Sequence, residues 1–236
     1  AECYAVPSRF GERVLYHSYS ADRVTGRIAI GLHDPVAGST RWTEAPASVN
    51  YETIVHVNPD GSRIVSQSTS KKDEPRWEIR SLAPADADRL SIKVVAGGTL
   101  PPDLSVRTSL SGAWLIEPLV DDGPPRGHGI VPGFRIRDGT NGMVKMTEPP
   151  GGGLSYLPSI DPSDRFAVDL RAAIPEGGSN RSPVTLRVFD IAAGKKAWEW
   201  KLPAPITVIA GGTMSPEYSP AMPDVAFSPD GSKLAL

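Results

Sequence analysis

Val57-Asn-Pro-Asp-Gly-Ser62 and Phe227-Ser-Pro-Asp-Gly-Ser232 are one six-residue frame written twice in the same chain. Each starts on an apolar residue, passes through Pro-Asp-Gly and closes on serine. Proline presets φ and glycine tolerates φ > 0, so such a block between two apolar runs is a turn with a mechanism. Two shorter echoes lie between them, Leu110-Ser-Gly112 and Ile160-Asp-Pro-Ser-Asp164. The turn centres fall near 60, 111, 162 and 230, a unit of about 50 residues with an insertion in the last interval. Two further alignments support the repeat. Asp34-Pro-Val-Ala-Gly38-Ser-Thr-Arg-Trp42 matches Asp190-Ile-Ala-Ala-Gly194-Lys-Lys-Ala-Trp198 as D-x-x-A-G-x-x-x-W. Val94-Val-Ala-Gly-Gly-Thr-Leu100 matches Val208-Ile-Ala-Gly-Gly-Thr-Met214.

Within a unit the pattern reads as four strands. From Tyr51, the runs Thr53–Val57, Arg63–Ser66, Arg76–Ser81 and Leu90–Val95 are strand-like and separated by turn residues. No window of twelve residues carries a convincing apolar stripe at helical spacing. Four-stranded units of 40–50 residues, repeated along a chain, are the signature of a β-propeller blade. The expected fold is all-β, a propeller of four-stranded antiparallel blades. Blades are expected at 4–46, 49–96, 104–148 and 154–210, with a partial fifth at 223–236. About four and a half blades are therefore present, which reads as part of a larger propeller in one domain over 1–236.

The turn Ser228-Pro-Asp-Gly231-Ser, followed by Lys233-Leu-Ala-Leu236, resembles the first hairpin of TolB-like and WD40-like propeller blades. The D-x-x-A-G-x-x-x-W frames resemble the hairpin between third and fourth strands in those families. The Gly-His and Trp-Asp signatures of true WD40 repeats are missing, which favours the looser TolB-like, bacterial type. Gly38 and Gly194 are expected in the same left-handed position. Trp42 and Trp198, sharing a frame, read as blade packing. Trp77 and Trp200 alternate with charges, so one face of each strand is expected to be exposed.

Composition agrees with this class. Gly 23 and Pro 24 together make about a fifth of the 236 residues, too many turn-formers for a helical bundle. A net charge of −2 argues against nucleic acid or an anionic membrane as partner, because phosphate binding needs a dense Lys/Arg surface. No apolar run approaches the roughly 20 residues of a membrane helix, so no direct membrane insertion is expected. Cys3 is alone, which excludes an intrachain disulfide and any Cys-based zinc spacing. The chain opens on Ala1, read as a removed leader or a domain cut from something longer, with a periplasmic or extracellular location favoured.

Chemistry is harder to find. His17, His33, His56 and His128 are scattered, and none has a second His or Cys at metal spacing, so no metal is assigned. Gly151-Gly-Gly153 lacks the lysine and helix of a phosphate loop and reads as a flexible inter-blade connection. Asp121-Asp-Gly123 lacks the alternating acids and terminal glutamate of a calcium loop. No catalytic constellation and no cofactor are expected. Two connections between second and third strands are long, Asp121–Gly129 in blade three and Pro175–Pro183 in blade four. Binding residues concentrate on loops held by a rigid scaffold. Asp122, Arg126, His128, Glu176, Asn180 and Arg181 are therefore the candidate ligand- or partner-binding residues.

Three functions compete. The first is a non-enzymatic scaffold that recognises a protein or peptide through these rim loops. The second is the gating propeller of a prolyl-oligopeptidase-like hydrolase whose catalytic domain lies elsewhere. The third is a sensory ectodomain of a bacterial membrane-bound regulator. The two strands of the partial fifth blade also present an open edge, so self-association through the terminal strands is expected as a further contact.

Overall fold

The computed structural model describes residues 2–7, 14–19, 27–46, 52–68, 74–87, 89–101, 104–120, 130–131, 133–151, 153–173, 181–203, 206–207, 225–228 and 230–235. Among them there is no helix. The strands run as antiparallel meanders, each built from hairpins whose turn residues the repeat supplies. Sheet one joins β1 (Glu2–Pro7), β2 (Val14–Tyr19), β3 (Arg27–Asp34) and β4 (Ser39–Pro46) in that order. Sheet two joins β5 (Glu52–Val57), β6 (Arg63–Ser68), β7 (Arg76–Pro84) and β8 (Leu90–Thr99) likewise. Sheet three contains β9 (Arg107–Thr108), β10 (Trp114–Leu119), β12 (Gly133–Asp138) and β13 (Val144–Glu148). The short β11 (Ile130–Val131) leaves it to pair with β14 (Gly153–Tyr156) of sheet four. That sheet continues through β16 (Phe166–Ala173), β18 (Val184–Asp190) and β19 (Lys195–Lys201), with β15 (Ser159–Ile160) also on β16. β17 (Arg181–Ser182) pairs with β20 (Ile206–Thr207), and β21 (Ala226–Phe227) with β22 (Leu234–Ala235). The fold is a β-propeller of four-stranded antiparallel blades, and the described residues contain four of them and the two-stranded hairpin of a fifth.

The chain divides into two compact units. The first comprises 1–102, 111–113 and 138–142, the second 103–110, 114–137 and 143–236. In the first, alternation along the strands sends Ile30, Val57, Ile64 and Leu82 into one buried cluster, joined by Leu32, Ile54 and Ile92. In the second, β16 and β18 of sheet four are buried on both faces. One face gives Ala167, Phe189 and Ile191 to a core with Ile116, Phe134, Ile136 and Met146 of sheet three. Phe134 and Phe189 meet there edge to face at 5.3 Å, a favoured geometry for aromatic pairs. The other face, Val168, Leu170, Ala172, Val184, Leu186 and Val188, is packed by Val225, Phe227 and Leu234 of the fifth-blade hairpin.

The first-to-second-strand turn recurs at four positions with one hydrogen-bond plan. Its left-handed residue is Gly61, Gly112, Asp164 or Gly231, with φ of 70°, 76°, 60° and 69°. Its opening residue accepts, through the side chain, the N–H five positions on. Asn58 Oδ1 takes Arg63 N at 2.7 Å, Ser109 Oγ takes Trp114 N at 3.2 Å, Asp161 Oδ1 takes Phe166 N at 2.6 Å and Ser228 Oγ takes Lys233 N at 2.9 Å. Both lesser echoes of the sequence are thus full copies of the turn.

In the last copy the Ser228 hydroxyl donates to Asp230, as do the Ser232 N–H and hydroxyl, and these bonds lower the Asp230 carboxyl to about 2. A depressed carboxylate contributes stability above its unfolded pKa, near 3.9, and loses it as pH falls through about 2. Ser228→Ala is expected to move the Asp230 titration, followed by carboxyl NMR, upward toward the unfolded value. An unmoved midpoint would contradict this hydrogen-bond assignment.

The third-to-fourth-strand turn recurs three times. Gly38 and Gly194 both lie in the left-handed region, at φ 62° and 64°, and Asp138–Gly142 repeats the spacing with Gly142 at 74°. Asp34 Oδ1 accepts Val36 N and Ala37 N, Asp138 Oδ1 accepts Thr140 N, and Asp190 Oδ1 accepts Ala193 N. The fourth strands that leave these turns differ in register. β3–β4 pairing runs without a shift, placing Trp42 opposite Gly31. The β18–β19 register slips at Ala197, placing Trp198 opposite Val188. Counted back from the turn aspartate, those partners are one residue apart, and a one-residue slip exchanges faces. Trp42 and Trp198 share the sequence frame but project from opposite faces of their sheets, so the expectation of one blade-packing role for both is corrected. The same slip recurs at Val95 in β8 and Lys145 in β13. On β7 the expected exposed face is only partly so, Arg76 being exposed and Arg80 buried, while Trp77 is 1% exposed. Gly98 lies opposite it, and an added Cβ there would sit 2.9 Å from the indole Nε1, so the ring fills the space a side chain would need.

Candidate binding rim of blades three and four

β10 and β16 occupy equivalent places, 52 residues apart, each beginning five residues after its turn opens. Both therefore deliver their chain ends, at Val120 and Ala173, to the same end of their blades. Of the candidate residues, Asp122, Arg126, His128, Glu176 and Asn180 lie outside the described residues. So does the Asp121–Gly123 stretch. Arg181 is placed, in β17, with its backbone paired to Thr207. The returning ends of both connections are hydrogen-bonded. Ile130 and Val131 pair with Tyr156 and Ser155, and Arg181 and Ser182 pair with Thr207 and Ile206.

A charged cluster lies within this unit that the residue spacing alone did not single out. Asp169 and Arg187 stand directly opposite on β16 and β18. Both are buried, and Arg187 donates from Nε to Asp169 Oδ1 at 2.9 Å and from Nη2 to Oδ2. Glu148 of β13 accepts from Arg187 Nη1 and from Arg171 Nη1, the latter at 3.2 Å. Burial pushes the Asp169 carboxyl up from its ordinary value against the pull of Arg187. Burial works against the charge of Arg187, but its hydrogen bonds to Asp169 and Glu148 and the charge of those two carboxylates hold its proton more tightly than usual. Two cations and two anions balance, each acid engaged by arginine, an arrangement that locks strands together.

Glycines make room for it. An added Cβ at Gly151 or Gly153 would strike the Arg171 guanidinium, so the backbone lies directly against that side chain. Gly151 and Gly153 form a close-packed seat for Arg171 where a slack connection was expected. A weaker version of the cluster stands 52 residues earlier. Glu117 accepts from Arg137 Nε at 2.8 Å and from Arg135 Nη1 at 3.5 Å. Glu117 and Arg135 precede Asp169 and Arg187 by the same interval, and this recurrence was the available signal.

Two of the described histidines, His33 and His56, have structural surroundings. His33 Nδ1 lies 2.9 Å from Thr40 Oγ1, and His56 packs its ring against Gly112. Among the described residues no group of three or more His, Cys, Asp or Glu side chains could hold a metal ion.

The class these blades define is the β-propeller. No protein-family model matches the chain, and no curated protein matches it. Solved propellers do. The β-propeller domain of the Trilobed protease from Pyrococcus furiosus, with an open velcro topology, is 16% identical at a TM-score of 0.49. The alignment covers 86% of this chain and 58% of that one. The propeller domain of Cps50 (Swd1) from Myceliophteria thermophila is 12% identical at 0.35, over 85% and 72% of the two chains. TolB from Acinetobacter baumannii is 13% identical at 0.37, over 86% and 55%. The chain thus spans under two thirds of the length of the first and third. These likenesses concern the fold.

Proposed function

We propose that this propeller module recognises a protein or peptide through the rim connections of blades three and four, without itself catalysing a reaction. The observation that carries the reading is the anchoring of both connections. Each leaves an equivalent strand at the same end of its blade, and each returns through a hydrogen-bonded two-residue strand. A loop tied at both feet to a rigid sheet loses less conformational freedom when it binds. Asp122, Arg126, His128, Glu176, Asn180 and Arg181 offer both charge signs and amide donors, which suits polar main-chain and side-chain groups of a peptide.

The test is selection of binding peptides from a displayed random library, followed by calorimetry on the selected sequences. Replacing Arg126, His128, Glu176 and Arg181 together with alanine is expected to weaken binding at least tenfold, as for interface hot spots. Peptides that bind the substituted protein undiminished would move the site away from this rim, and a selection that returns no binder would remove the reading.

A further inference from the structure

The four asparagines of the chain are followed by Tyr51, Pro59, Gly142 and Arg181. An asparagine loses its amide when the next backbone nitrogen attacks its Cγ, and glycine has no Cβ to screen that nitrogen. Proline has no N–H to give up, and tyrosine and arginine carry side chains beside theirs. Asn141–Gly142 is therefore the susceptible pair. Asn141 is exposed, while Gly142 is buried.

The attacking nitrogen is held. Gly142 N–H donates to the Asp138 carbonyl oxygen at 2.8 Å, Gly142 stands at φ 74°, and an added Cβ there would overlap the Ala96 methyl. The rest of the turn is tied as well. Asp138 Oδ1 accepts from Thr140 N at 2.6 Å and from the Thr140 hydroxyl, and Gly139 N–H donates to Ala113 O at 2.7 Å. An electrophile in water thus adjoins a nucleophile locked in a turn. Asp60, Asp138 and Asp230 also precede glycine, but a carboxyl cyclises this way only when protonated. Burial works upward on Asp60 and Asp138, yet the hydrogen bonds of their own turns bring both below the ordinary value, and Asp230 lies at about 2. At neutral pH those three are ionised, and of the four residues Asn141 presents the uncharged Cγ.

We propose that Asn141 is a deamidation site gated by this turn, with opening of Asp138–Gly142 as the step that admits the reaction. In the open turn the Gly142 nitrogen bonds to Asn141 Cγ and the Cγ–Nδ2 bond breaks. The amide nitrogen leaves as ammonia, taking the proton that Gly142 N gives up. Water then opens the succinimide. Addition at Cγ leaves aspartate on the original main chain, whereas addition at the other carbonyl routes the main chain through Cβ as isoaspartate. The second product lengthens the main chain by a methylene carbon. Gly142, packed on Ala96 at its left-handed φ, has no room to take that up, so the turn does not re-form its contact.

The full chain is held in neutral buffer, folded or unfolded in guanidinium chloride, then digested with trypsin, which releases 138–145 between Arg137 and Lys145. Mass follows amide-to-acid conversion of that peptide, and retention separates the two products. Conversion is expected in both samples and at least about tenfold slower in the folded chain, because it tracks the population of the open turn. Asp138→Ala should speed the folded-state reaction severalfold relative to its own unfolded rate. Thr140→Val, which removes the hydroxyl bond and keeps the Thr140 N–H bond, is the second variant should Asp138→Ala lose its β circular dichroism. Chain enriched in isoaspartate should melt below Asn141→Asp, which carries the same charge on an unaltered main chain. No mass change in the unfolded chain, equal folded and unfolded rates, turn variants that leave the folded rate unmoved, or an isoaspartyl chain that melts with Asn141→Asp overturns the proposal.

Discussion

Asp169→Ala is expected to destabilise the protein by about 3–5 kcal/mol, because it leaves the buried Arg187 guanidinium without its bidentate partner. Arg187 is 5% exposed. Glu148 keeps one bond to it, but a single carboxylate shared with Arg171 does not replace two aligned acceptors. Arg187→Met should cost a similar amount by stranding Asp169. The double replacement Asp169→Leu with Arg187→Met removes both charges and is expected to be near neutral, or stabilising by about 1–4 kcal/mol. Urea unfolding of the wild type, the singles and the double closes the cycle. Additive losses in the double would mean that the pair stabilises the blade by more than its mutual satisfaction, contrary to this account.

Gly142→Val and Gly38→Val separate backbone strain from packing. Both glycines are left-handed, at φ 74° and 62°, and valine there costs about 1–3 kcal/mol. Gly38 faces open space, so strain is the whole cost. Gly142 abuts Ala96, and the added side chain must force two blades apart, for about 1–3 kcal/mol more. Thermal unfolding should rank Gly142→Val well below Gly38→Val. Equal losses would show that the blade contact yields freely.

The turns were legible because their chemistry is local. Pro-Asp-Gly and D-x-x-A-G specify dihedral angles within four residues, whereas Asp164, legible only as the end of a shorter echo, takes the left-handed position that glycine holds in the other copies. A frame that demands Ala-Gly and a following tryptophan passes over Asp138–Gly142, which keeps only the aspartate and the glycine. Faces were not legible. The bulge at Ala197 has no residue signature, since alanine suits any strand, yet it decides which side of the sheet Trp198 occupies. Trp77 is buried by a cross-strand glycine that only the register brings opposite. The Asp169–Arg187 pair recurs as Glu117 and Arg135 at a fixed interval, but opposite charges on a strand read equally well as solvated. Of the candidate site, the sequence placed the connections and their emergence from second strands. Which of Asp122, Arg126, His128, Glu176 and Asn180 converge depends on loop conformation, which no periodicity encodes.

The pairing of Ile130–Val131 with β14 bears on how this part of the chain folds and fails. Repeat proteins in which each unit touches only its neighbours through side chains can lose one unit at a time. Here the segment between two strands of sheet three forms backbone hydrogen bonds inside sheet four. Sheet four cannot complete its inner edge before the preceding blade has threaded that segment into place, and opening either blade exposes backbone groups of both. Blades three and four are therefore expected to exchange their amide hydrogens as a single cooperative unit, and a cut near residue 150 severs a sheet where the repeat boundary looks like a joint.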